Sequence, residues 1–456
     1  DATQNIGNGS YSTADPYVKK VWDGRYTGIR MCNELLENID RVPDLDPELK
    51  KRYIGEAKVL RAYNYYELYT KFGDVPYTTK VLSIKESMSI ARTAKATVIA
   101  NVLADLDEVI NGNYLPTSYD ADNKGRITRW AAMAIKAKIY LFEGNWTQVK
   151  NITSTIMTEG GFKLFGSYAG LFEIANEYNS EVILDAQYRP TSREHQMMYV
   201  FLPPTLGGYS QLSPLQELVD SYIMLDGKTI KETGTSFDES HPYANRDPRL
   251  KATVMYTGNS YTLADGTEVV INCEKGEGKD GYGVGSDCSA TGYYIKKYWD
   301  NTYRATLYSG LNPILIRYAD ILLMNAEALA ELGELDKTAW DATIKPIRDR
   351  AGFTLASALE FPEGASKDKL IEIVRNERRS ELALEGHRHK DIIRWRIADN
   401  VLNGWCHGLK TNDVVGTDDG YVRVENRTFN ANKHYLWPIP QAERDLNGNL
   451  EQNPNW

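Results

Sequence analysis

Six histidines are among the scarcest chemical groups in the chain: His195, His241, His387, His389, His407 and His434. Only His387 and His389 fall close together, in Glu385-Gly-His-Arg-His-Lys-Asp391. Two imidazoles two residues apart beside carboxylates form a pattern that can ligate a metal ion. Arg378, Arg379, Arg388, Lys390, Arg394 and Arg396 surround them, however, and so much positive charge opposes a cation. The segment therefore reads as ion pairs tying helices together, and no metal is expected. No HExxH, Walker loop or GxSxG elbow occurs. The glycine-rich stretch Gly276 to Gly285, with Gly281-Tyr-Gly-Val-Gly285, is not followed by the helical pattern that a nucleotide cradle requires, so it reads as a surface loop. With 62 acidic residues, no pair singles itself out as general acid and base. No catalytic residue, no cofactor and no enzymatic activity are expected.

The aromatic residues carry more information. Thirty Tyr against ten Phe, with nine Trp, is a surplus of rings that join an apolar face to a polar tip, which suits wet, sugar-like or protein surfaces. Sugar rings have apolar C–H faces that stack on Tyr and Trp, while their hydroxyls need polar partners such as Asn, Asp and Arg. Tyr282 and Trp299, in Gly- and Asp-flanked loops, lead the candidates for ligand contact. Tyr209, Tyr261, Tyr303, Tyr17, Asn301 and Arg304 follow. Alternation in Tyr293-Tyr-Ile-Lys-Lys-Tyr298 implies a strand, so a share of these rings is structural. Cys273 and Cys288 bracket the glycine-rich loop, where they either close a local disulfide or remain two free thiols.

A formal net charge of −9 over 456 residues excludes the basic footprint of a nucleic-acid binder. The longest uncharged run, Gln196 to Gln216, is interrupted by Pro203, Pro204, Gly207, Gly208 and Pro214, so it does not span a membrane.

The elements that must position these residues are mainly helical. Apolar residues at three- and four-residue spacing predict helices at Pro16 to Asp40, Pro47 to Tyr69, Thr97 to Asn111, Thr128 to Gly144 and Trp146 to Glu159. Helices resume at Ile316 to Gly333, Thr338 to Arg350 and Lys367 to Gly386. Between them helical stretches shrink to Pro214 to Met224, with strand-like pieces at Lys251 to Tyr256 and Glu268 to Cys273, and the chain from Gly404 reads as loops. Aligning Ile127 with Ile316 superposes Ala137-Lys-Ile-Tyr-Leu-Phe-Glu-Gly144 on Ala326-Glu-Ala-Leu-Ala-Glu-Leu-Gly333. A small residue midway along a helix, a closing glycine and a second helix are the grammar of tetratricopeptide-type pairs. The expected fold is mainly α, a tetratricopeptide-like helix-pair scaffold with a large irregular, loop- and short-strand-rich insertion. It is expected as one domain over residues 1–456. The scaffold falls at about 16–159 and 313–400, a ligand-facing insertion at about 160–312 and a loop-rich tail at 401–456.

Several segments, in order, resemble the SusD/RagB family of outer-membrane nutrient-binding lipoproteins. They include Gly55-Glu-Ala-Lys-Val-Leu-Arg-Ala-Tyr63, Phe72-Gly-Asp-Val-Pro76, Arg246-Asp-Pro-Arg249, Ile316-Arg-Tyr-Ala-Asp-Ile-Leu-Leu-Met324, Arg375-Asn-Glu-Arg-Arg-Ser-Glu381, Trp437-Pro-Ile-Pro440 and Gln452-Asn-Pro-Asn-Trp456. The motif around Glu381 reads physically as ion pairs on a helix surface. The resemblance implies an outward-facing outer-membrane lipoprotein that captures oligosaccharide or glycan without cleaving it. It would deliver that ligand to a partner TonB-dependent (SusC-like) transporter barrel, and capture of peptides by the same arrangement is the alternative. The resemblance also implies a lipidated N-terminal Cys, for which Cys32 lies too deep in a helix, so membrane contact is expected only through an anchor missing from this chain.

Overall fold

In the computed structural model, which describes residues 2–300, 302 and 307–456, helices begin where the sequence supplies an oxygen for their free N–H groups. Asp15 accepts from Tyr17 and Val18 ahead of Pro16–Asn38, Asp46 from Leu49 ahead of Pro47–Phe72, and Thr128 from Ala131 ahead of Arg129–Phe142. Proline stands in the first turn of the two longest, where its missing N–H costs nothing. These helices lie within a few residues of their predicted spans. A short helix, Ala2–Asn8, precedes them and had no periodic signal.

The chain forms two compact units. The first comprises Asp1–Ile156, His389–Gly404 and Arg427–Trp456. In it Pro16–Asn38 packs on Pro47–Phe72, which also packs on Lys95–Asn111 and Arg129–Phe142. The C-terminal half of Pro47–Phe72 is buried on nearly every side, and Gly55 is required because a Cβ there would lie 2.8 Å from Tyr114 Cβ. Its Arg61 is buried against Asp105 (2.6 Å) and Asn33 (2.9 Å), a packing role.

The second unit comprises Met157–Arg388 and Trp405–Asn426. Its helical part sets Tyr318–Leu332 against Lys367–Glu381 over a core of Leu322, Leu323, Ala326, Trp340, Ile344 and Val374. Ala137 and Ala326 are fully buried, and Gly144 and Gly333 each end their helix with positive φ (+71° and +73°), as the repeat predicts. The irregular part is held by two-stranded antiparallel pairs: Val182–Asp185 with Ile314–Arg317, Val254–Met255 with Tyr294–Ile295, and Ser260–Thr262 with Glu268–Val270.

Four segments depart from the periodicity. Ile316 and Arg317 close a strand before the helix starts at Tyr318, because Ile314 and Ile316 pair across to Val182–Asp185. Lys251 to Tyr256 is divided: Lys251–Thr253 end the helix Pro248–Thr253, capped by Asp247, and Val254–Met255 form the expected strand. The helix predicted from Thr338 breaks at Thr343 into Lys337–Ala342 and Ile344–Ala351. The segment after Gly404 includes a three-stranded sheet in which Tyr421–Arg427 lies between Gly404–Lys410 and Thr417–Asp418.

The motif Arg375 to Glu381 also departs from its helix-surface reading. Glu377 and Glu381 are buried and face partners from other segments. Arg317 reaches Glu181 (2.7 Å), Glu381 (2.6 Å) and Glu385 (2.8 Å), while Arg249 reaches Asp247 (2.7 Å), Glu377 (2.7 Å) and Glu381 (2.8 Å). Arg350 joins Glu181 and Glu381, Arg348 joins Glu377, and Lys297 meets Glu385 at 2.6 Å. These side chains belong to the core of the fold, a structural role, because burial is tolerable only when each charge has opposite partners.

Candidate functional site

The densest solvent-facing group of rings in the second unit lies on residues 188–213 and what they touch. A tight turn starts it: Arg189 and Arg193 exchange backbone bonds, Thr191 sits at φ +67°, and Glu194 Oε1 accepts from Thr191 N–H at 2.8 Å. The turn brings the Arg193 guanidinium over the Tyr188 ring (5.3 Å), and Tyr188 meets His195 edge-on at 4.7 Å. His195 is fixed on both nitrogens. Its Nε2–H donates to the Leu311 carbonyl (2.8 Å) and its Nδ1 accepts from Met197 N–H (3.3 Å), while its backbone pairs with Ser309. Committed in this way, the imidazole positions backbone and has no nitrogen left for proton transfer. Tyr308, 43% exposed, stands beside that pairing.

The helix Met197–Phe201 and the turn Pro204–Leu206 then fold Tyr209 back onto Tyr199. Tyr209 N–H donates to the Tyr199 carbonyl at 3.0 Å, and the two rings stack with centroids 4.3 Å apart and planes at 30°. The return depends on glycine: a Cβ on Gly208 would lie 2.1 Å from the Leu202 carbonyl oxygen. The Tyr209 ring is 40% exposed. Its hydroxyl pushes the Tyr199 phenol above its ordinary pKa, with smaller contributions from desolvation and the nearby Asp287 charge. Thr205 N–H donates to Asp280 Oδ1 at 2.7 Å, which ties this turn to the glycine-rich loop carrying half-buried Tyr282. A stacked tyrosine pair with one open face, close enough to Asp287 to feel its charge, offers an apolar platform beside a hydrogen-bonding group.

One sequence candidate, Tyr209, falls on this surface, while Tyr282 is half-buried against the core of the second unit in the loop that Asp280 ties to it. Tyr261 and Trp299 do not fall on it. Tyr261 is fully buried and donates to the Ile295 carbonyl at 2.7 Å, and Trp299 packs on it with its indole N–H bonded to the Thr262 carbonyl at 2.8 Å. Both rings build the core and are closed to a ligand. Tyr17 belongs to the first unit, half-buried with its ring 6.1 Å from Trp437. Asn301, Tyr303 and Arg304 lie outside the described residues. The disulfide alternative is not formed: Cys273 is buried as a free thiol, and Cys288 directs its Sγ to the Lys279 carbonyl at 3.3 Å. Sequence reasoning missed Tyr188, His195 and Tyr199, since Tyr199 hides in the apolar run Gln196 to Gln216. The Gly207-Gly208 pair ahead of Tyr209 was the available signal.

His389 lies in the first unit, where burial, Lys71 and Lys390 depress it to about 4. It is a neutral packed imidazole. Among the described residues, no group of three or more His, Cys, Asp or Glu is placed to hold a metal ion.

A mainly helical protein with tyrosine-rich loops is the class that fold and surface define. Comparison with known proteins gives it a family: a model described as the SusD family matches residues 171–456, and one described as "starch-binding associating with outer membrane" matches residues 2–141. The chain belongs to the SusD family. It is similar to the SusD-like protein P25 of Formosa agariphila, with 28% identity over 433 residues covering 88% of this chain and 76% of that one. It is also similar to a crystallised SusD-like carbohydrate binding protein of Bacteroides fragilis, at 29% identity and a TM-score of 0.88, with 99% of this chain and 89% of that one covered. A laminarin binding SusD-like protein matches at 25% identity and a TM-score of 0.66, covering 96% of this chain and 85% of that one.

Proposed function

We propose that this SusD-family protein captures oligosaccharide at the outer face of the outer membrane, without cleaving it, and passes it to a partner TonB-dependent transporter. The observation that carries the reading is the open Tyr199–Tyr209 stack, a surface matched to the C–H face of a pyranose. Support comes from relatives whose names record carbohydrate and laminarin binding, and from the outer-membrane association in the description of the matching family model. Residues 160–312 are taken as the ligand-facing part, carried by the helices on either side. No helix among the described residues is long and apolar enough to cross a membrane. The tie proposed here is a lipid anchor, on the strength of the resemblance to outer-membrane lipoproteins.

Affinity gel electrophoresis against a panel of neutral glycans tests this. At least one should retard the protein, and Tyr209→Ala or Tyr199→Ala should weaken retardation by roughly 3- to 10-fold, since a stacking ring is worth about 0.5–1.5 kcal/mol. Incubation with that glycan should release no new reducing ends. Retardation by peptides and by no glycan would overturn the reading. The transporter step is checked separately, by co-purification of a barrel with the anchored protein from outer membranes.

A further inference from the structure

The first unit holds a cavity of about 610 Å³, and its lining is unlike the tyrosine platform. Tyr69 contributes to it while only 1% exposed, yet its hydroxyl has no hydrogen-bond partner. A buried donor left unmet marks a place where an acceptor is absent. Arg396 lies on the same cavity with its guanidinium 3.9 Å over the Tyr435 ring, and no carboxylate among the described residues pairs with it. The neighbouring cations differ. Lys95 is paired with Glu143 at 2.9 Å. Arg92 spends its protons on the Asp74, Phe72 and Glu451 carbonyls and on Asn453. Arg396 is also held at φ +56°, a backbone conformation that non-glycine residues avoid.

We propose that this cavity binds a sugar bearing a carboxylate, a hexuronate residue. Arg396 presents a planar fork that matches a carboxylate, Tyr69 O–H donates to a sugar oxygen, and Tyr435 and Phe142 pack on the pyranose C–H face. A compact anion such as phosphate satisfies the arginine but leaves the aromatic walls unfilled, and a neutral sugar leaves the exposed Arg396 charge to water. The sugar part of this assignment rests on the proposed glycan binding. The anion part rests on Arg396 independently.

Calorimetry of the full chain with digalacturonate, and with neutral digalactose for comparison, decides it. The expected result is at least tenfold tighter binding of the acidic disaccharide, weakened by added salt. Arg396→Gln should lose tenfold or more and Arg396→Lys a smaller amount, both with an unchanged melting temperature. Tyr69→Phe should lose about threefold. Equal affinity for the two disaccharides, an unchanged affinity in Arg396→Gln, or full displacement by equimolar inorganic phosphate would overturn it. Because Tyr209→Ala reads out on neutral glycan and Arg396→Gln on the acidic one, failure of this site and failure of the proposed function give different results.

Discussion

A core built from loops faces a difficulty that a helical bundle does not, because regular structure does not pair its backbone carbonyls. Tyrosine answers it one residue at a time. Tyr261 donates to the Ile295 carbonyl, Tyr294 to the Asp280 carbonyl and Tyr168 to the Glu381 carbonyl, each with a ring that fills the core of the second unit. Phenylalanine would fill the same space and leave the Ile295 and Asp280 oxygens unmet, while the Glu381 carbonyl would keep the Arg317 guanidinium at 2.7 Å. Tyr261→Phe should therefore lower stability by about 1–2 kcal/mol in a thermal or denaturant melt and leave glycan retention unchanged. Tyrosine counts are visible in a sequence, but the environment of each ring is not. Trp299 has the Asp-flanked look of a loop ligand, yet its indole N–H is taken by Thr262, 37 residues away. Tyr209 stands out in the sequence as a ring in the non-helical part, and the turn that presents it depends on Gly208, whose requirement is local.

Helices were legible to the degree that their signals were local. Capping oxygens, prolines and closing glycines lie within a few residues of the ends they determine, and those ends came out nearly right. The inward face of Lys367–Glu381 was not legible, because its partners are remote: Arg249 is 132 positions from Glu381, and Arg317 is 64. Read locally, a helix of alternating acids and bases looks solvated. Read with those partners, it is the element on which buried charge converges. Glu381→Gln keeps the shape and removes the charge that Arg317, Arg249 and Arg350 share. It should cost about 3–5 kcal/mol by chemical denaturation, the cost of leaving buried cations uncompensated. Glu372→Gln, on an exposed position of the same helix, should change stability by less than about 0.5 kcal/mol.

For the whole molecule, the same charges set a pH dependence whose sign can be worked out. Burial alone would raise the Glu385 carboxyl, but Arg317 and Lys297 outweigh it and hold it down from 4.5 to about 2, and Glu381 and Glu377 are held below their ordinary value in the same way. The unfolded chain then binds these protons more tightly, so the stabilisation is fully present above about pH 4.5 and is lost as pH falls toward 2. Glu385 alone accounts for about 3 kcal/mol on that scale. Lys297 acts on the other side. Burial lowers it from 10.5 to about 8, so it opposes folding below pH 8 and that opposition fades as pH rises toward 10.5. Denaturant melts should show stability falling steeply between pH 4.5 and 2, with the Glu381→Gln variant falling less over that interval. A wild-type profile flat from pH 6 to 2.5 would contradict this. The fold class was legible at this scale from composition, periodicity and motif order. The buried ionic core was not, since apart from Asp247–Arg249 its pairs join residues that no local window contains.

All four cysteines are free, and that has a consequence for a protein proposed to work outside the cell. No covalent staple joins segments distant in the chain, so no oxidant is needed to complete the fold and no reductant can undo it. Its fastening is tuned by protons, and electrons have no hold on it.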